Sequence, residues 1–172
     1  MTSYEVLSLI ISLGGFTTVI VTLVFLTRQT REATTQTKYL AESLKSSAYA
    51  SVADQMLRVD EVFIRYPELR PYFYLGKFIS ENDAQYNRAV AMAELILDLH
   101  YSVLVQSDHF PQAWPHQWWK VYVVDSFASS PILCEHLNAL KNWYTDEMIA
   151  LMREGEAQRL QKSARGEKQE VA

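Results

Sequence analysis

Glycine is scarce in this 172-residue chain: of five, only Gly76, Gly155 and Gly166 lie outside the apolar run near the N-terminus. Phosphate-cradling loops and dinucleotide fingerprints need clustered glycines, so the usual nucleotide enzymes are excluded. Cysteine occurs once, at Cys134. No internal disulfide can form and no oxidising compartment is needed. Set in a Leu-rich helix with no patterned His beside it, Cys134 is expected to be a small buried hydrophobe. Strand-like alternation bounded by turn pairs is missing, as are internal repeats and low-complexity tracts other than a Thr/Gln-rich stretch at residues 27–38. An excess of positive charge is missing too: 16 Lys and Arg against 20 Asp and Glu leave a net charge of −4, which speaks against a broad nucleic-acid-binding face, so no specific nucleic acid is expected as partner.

The motifs of catalysis are equally thin. The chain has no G-x-S-x-G elbow, no HExxH and no E-x-x-H pair for a di-iron bundle. Asp98, His100, Asp108, His109 and His116 crowd together, but Asp98 and His100 stand two apart and face away from each other on a helix, while His109 and His116 flank a loop. No metal, cofactor or catalytic residue is expected. A helical ribonuclease would pair an Arg with a His four to six residues later; no Arg here has one, and Arg88 with His100 is three turns apart. Only a divergent site assembled from Arg88, Glu94, Asp98 and His100 could serve.

What the chain does have is Val6 to Leu26, 21 uncharged residues of which fourteen are Val, Leu, Ile or Phe. At roughly 0.3–0.6 kcal/mol each near mid-bilayer, their insertion is favourable by several kcal/mol, and a helix of this length rises about 30 Å, the thickness of the hydrocarbon. The run reads as a transmembrane anchor (1–27). A cleaved signal peptide is the rival, but no Lys or Arg precedes the run, it exceeds an ordinary signal core, and no small-x-small site follows. Arg28, Arg31, Lys38 and Lys45 follow the run and none precedes it, which puts the N-terminus outside and the remainder in the cytoplasm. These four could also touch anionic headgroups. Ser8, Ser12, Gly15 and Thr22 fall on one side of the span, a face through which a second copy could approach.

No Gly or Pro interrupts residues 27–64, so the helix is expected to leave the bilayer unbroken, a stalk and first bundle helix at 28–66. Its apolar stripe runs through Ala33, Thr37, Leu40, Leu44, Ala48, Val52, Met56, Val59 and Phe63, and it stops where Tyr66 precedes Pro67. A helical bundle is expected at 67–154. The segment Tyr66, Pro67, Glu68, Leu69, Arg70, Pro71, Tyr72, Phe73, Tyr74 brackets one helical turn between prolines. Its rings, with Phe78, are expected to plug the end of the bundle, with Glu68 and Arg70 as an ion pair or cap. A core helix should span 82–106 behind a Ser80/Asp83 cap, with Glu94, Asp98 and Tyr101 along its polar edge. A third should start at Pro115 and carry Trp118, Trp119, Val121, Tyr122, Val124 and Phe127. Ser130 and Pro131 should open the last helix, its inner face Leu133, Leu137, Leu140, Tyr144, Met148, Leu151 and Met152. From Gly155 a mobile charged tail is expected (155–172).

The fold class is thus all-α: an N-terminal transmembrane helix continued as a stalk, then a cytoplasmic bundle of about four helices. About 145 residues after the anchor make one domain with a real core. The YPELRPYFY motif, the Trp-rich helix and the SSP break together resemble a family of small bacterial proteins with one N-terminal membrane helix and no assigned activity. The resemblance covers roughly residues 5 to 150 and implies the bacterial inner membrane as location. The leading functional expectation is a homo-oligomeric interaction module, its partners the lipid bilayer, further copies and a cytoplasmic protein. The alternatives are a pore or membrane-disrupting effector of bacterial defence, with Ser and Thr lining a polar path, and the divergent ribonuclease.

Overall fold

A computed structural model describes residues 2–109 and 116–170, with the side chains of 9, 109, 116 and 165–170 outside it. Among the described residues there are six α-helices and two 3-10 turns, and no strand. Helix α1 spans Ser3–Arg65, a 3-10 turn Pro67–Leu69, α2 Arg70–Tyr74, α3 Tyr86–His109, α4 His116–Ser129, α5 Pro131–Ala139, a second 3-10 turn Lys141–Trp143, and α6 Asp146–Glu170. The chain separates into two units, parted between Ser46 and Ser47.

The first unit is helix throughout. Its described large apolar side chains are exposed from Val6 to Leu26, and so are Leu40 and Leu44 of the expected stripe. The threonine hydroxyls of the apolar run are satisfied within the helix. Thr17, Thr18, Thr22 and Thr27 each donate to the carbonyl four residues back, at 2.7–2.9 Å.

The second unit begins inside α1 and holds the core. The stripe predicted along α1 is buried here at Val52, Val59 and Phe63, and the boundary falls within the predicted stalk rather than at residue 27 or 66. The helix ends at Arg65 because Pro67 removes a donor and pushes Tyr66 out of the α region; Tyr66 has φ −130° and ψ 66°. Helix α3 is the hub. Its Ala89, Met92, Ala93, Ile96, Leu97, Leu99, Val103 and Leu104 are buried, and it packs against α4 and α5, while α4 lies along α6 and α2 meets α5. It begins at Tyr86, four residues later than expected, because the Asp83 carboxylate accepts from the Gln85 backbone N–H at 2.8 Å and holds a turn there. Pro111 and Pro115 lie outside the described residues.

The last predicted helix is two. Ser130 caps α5 as expected, its hydroxyl accepting from the Leu133 N–H at 3.4 Å, with Pro131 in the first turn. At Leu140 the backbone leaves the helix (φ −107°, ψ 18°), and α6 restarts where Thr145 Oγ1 accepts from the Met148 N–H, with Asp146 and Glu147 in the first turn. Nor does the helix stop at 154. Gly155 lies inside α6 and is buried against α4. A Cβ built there would stand 2.6 Å from Phe127 Cβ, 2.7 Å from the Val124 carbonyl oxygen and 2.9 Å from the Ala128 nitrogen. The glycine predicted to begin a tail is the point where two helix backbones meet.

Candidate functional site

Two features stand out. One is the apolar surface of the first unit. Among the described residues two helices are long and apolar enough to cross a membrane. The α1 window has mean hydropathy 2.4 with none of it buried; the α3 window has 1.3 and is half buried. Burial tells them apart, because α3 is the core of the second unit. A groove of about 530 Å³ on α1 is lined by Ile10, Leu13, Gly14, Thr17, Thr18, Val21 and Thr22. At Gly14 a Cβ would have nothing within 4 Å. Of the face predicted from spacing, Thr22 lines this groove; Ser8, Ser12 and Gly15 are not among its walls. Arg28, Arg31, Lys38 and Lys45 are exposed on α1.

The other is the Tyr66–Tyr74 motif. Tyr72 and Phe73 are buried, as the plug reading expects, and Phe73 meets Phe63 edge to face at 5.5 Å, but Tyr74 and Phe78 are exposed. Of the ion pair or cap expected of Glu68 and Arg70, the pair is not formed, while Arg70 ends the 3-10 turn with its backbone N–H donating to the Pro67 carbonyl. Glu68 faces Arg88 of α3 at 3.4 Å, and Arg70 lies over Tyr74 of its own helix and Phe63 of α1, 5.2 and 5.8 Å from the ring centres. Two more cations rest on motif rings, Arg88 on Tyr66 at 4.2 Å and Lys77 on Tyr72 at 4.9 Å. Each such contact contributes about 0.5–1 kcal/mol when exposed.

The motif is stitched to the SSP break. The buried Ser130 hydroxyl donates to the Tyr72 carbonyl at 2.9 Å, and the Gly76 N–H donates to the Ser129 carbonyl at 2.9 Å. Gly76 has φ +68°, the left-handed region that glycine enters without strain. The two most distinctive stretches of the sequence are thus one structural joint.

The residues of the divergent catalytic alternative are not gathered. Arg88 is held at the surface by Glu68, while Glu94 and Asp98 sit on the exposed edge of α3. Asp98 accepts from the Tyr144 hydroxyl at 3.2 Å, and burial, then the charge of Asp98, pushes that phenol up to about 12. His100 is fully buried on another side of α3, and burial holds it neutral, down to about 3. Cys134 is buried as expected; burial raises its thiol to about 11, so the thiolate that reacts is scarce near neutrality. Among the described residues no three of His, Cys, Asp and Glu are placed to hold a metal ion; the side chains of His109 and His116 lie outside them.

Residues missed from the sequence are the exposed aromatics of the second unit. Trp118 and Trp143 are 77% and 79% exposed. Trp118 and Val121, with Gln117, line a shallow pocket on α4. The signal for Trp118 was in the spacing: Val124 and Phe127 define a buried face of α4 to which Trp118 does not belong. No family model, curated protein or solved structure matches the chain.

Proposed function

We propose that the chain is a non-catalytic assembly module held at a bilayer by residues 6–26. Its N-terminus lies outside and its second unit in the cytoplasm, where the module gathers as a homo-oligomer and presents its exposed aromatics to a protein partner. The carrying observation is that the most apolar window of the chain has none of its surface covered by the rest of the molecule. Left in water, that surface is costly at about 25 cal/mol per Å²; hydrocarbon removes the cost. The threonine hydroxyls support the reading, since each donates to a carbonyl of its own helix and makes no unmet demand on lipid. The basic residues after the run support the orientation.

Membrane fractionation with a reporter fused to the C-terminus tests this. The expected outcome is a chain that resists alkaline extraction, with the reporter active on the cytoplasmic side. Recovery as freely soluble protein, or a reporter active outside, overturns the anchor. Crosslinking in membranes tests the oligomer, and a strictly monomeric result removes that part.

A further inference from the structure

The second unit holds two described histidine side chains. His136 Nε2 lies 3.3 Å from Glu94 Oε1. His100 has no such neighbour. It is wholly buried, neither ring nitrogen has a hydrogen-bond partner, and its ring lies edge-on to Tyr122 and Phe127 of α4, both 5.6 Å away between centres.

The titratable group that touches it is a phenol, not a carboxylate. Tyr122 is in ring contact; Tyr74 of α2 and Asp60 of α1 act on Tyr122. Burial is what lowers His100, and among the described residues no charged side chain is paired with it. Neutral imidazole has a single N–H to leave unmet. An imidazolium there would carry two unmet donors and a full charge with no counter-ion.

We propose that His100 is an acid-sensitive switch at the α3–α4 seam, closed while the ring is neutral and opened when the ring takes up a proton. Burial lowers the folded-state value to about 3, below the ordinary 6.5, so the open form binds the proton more tightly. The stabilisation is fully present above pH 6.5, is lost as pH falls from there towards 3, and is gone below that. Within the window the opening equilibrium shifts about tenfold per pH unit. The switch lies wholly within the second unit and does not depend on the membrane reading.

The test is urea unfolding of the full-length chain in a nonionic detergent at pH 7.5, 6.5, 5.5 and 4.5, read by tryptophan fluorescence. The wild type should become easier to unfold by about tenfold more per pH unit below 6 than His100→Phe or His100→Gln. An NMR titration should show the His100 ring unprotonated above pH 5 in the folded protein. Parallel pH profiles for wild type and variants, or a His100 signal titrating near 6.5 while folded, overturn the proposal. Should both variants fail to fold, Tyr122→Leu carries the test: it opens the ring to water and should flatten the acid dependence, and an unchanged slope counts against the switch.

Discussion

Leu13 and Leu97 are the same residue within uninterrupted helices, yet Leu13 is 68% exposed and Leu97 fully buried. The first unit contributes apolar surface that the described chain leaves uncovered, whereas the second folds its apolar residues onto one another around α3. Helix propensity is common to both. What differs is the cover: neighbouring helices bury the surface in one case, and the described chain leaves it open in the other. A hydropathy profile cannot make this distinction by itself, because α3 also passes for a membrane span until its burial is known.

Matched substitutions in the two units sharpen the contrast. The largest effect is expected from Phe127→Ala, which empties a core position and should cost about 3–5 kcal/mol in chemical unfolding of the second unit. Phe16→Ala should leave that unfolding curve where it was. Placing an arginine in mid-span, Val19→Arg, reverses the comparison. It should cost about 2.5–3.5 kcal/mol of insertion, seen as release by alkaline extraction, with the second unit's midpoint unchanged. Glycine gives the most direct pair. Gly155→Ala must push a methyl group against the α4 backbone and should destabilise by about 1–3 kcal/mol, whereas Gly14→Ala meets empty space and gains up to about 1 kcal/mol of helix propensity. If the two glycines respond alike, the close α4–α6 crossing is wrong. The smallest of the four is Ser130→Ala, which loses a cap and the buried bond to the Tyr72 carbonyl for about 1–2 kcal/mol by urea titration. Thr18→Ala removes a hydroxyl whose carbonyl keeps its helical partner, and should move nothing.

Features set by adjacent residues were legible in the sequence. The end of α1 before Pro67, the Ser130–Pro131 start of α5 and the buried positions of α3 follow from rules acting within a few residues. The break between α5 and α6 was masked because Leu137, Leu140, Tyr144 and Met148 keep helical spacing straight through it. The competing signal, Thr145 followed by Asp146 and Glu147, was present and weaker. Gly155 was misread because glycine among charges resembles a helix end, and its real reason is the α4 backbone, brought there by the fold. Glu68 has its partner twenty residues away, and the rings around His100 belong to another helix. Of the candidate site, the apolar run of α1 was legible but the walls of its groove were not; nor was the joint between the motif and the SSP break, whose Ser130–Tyr72 bond crosses 58 residues of sequence.

That joint constrains how the two segments can diverge. Both acceptors are main-chain oxygens, which every residue supplies, so replacing the Tyr72 or Ser129 side chain leaves the bonds available. The donors are less replaceable: Ser130 brings the hydroxyl, and Gly76 alone accepts its backbone twist without strain. Among descendants of this sequence, Ser130 and Gly76 should drift least, while exposed Phe78 two residues on is free to change.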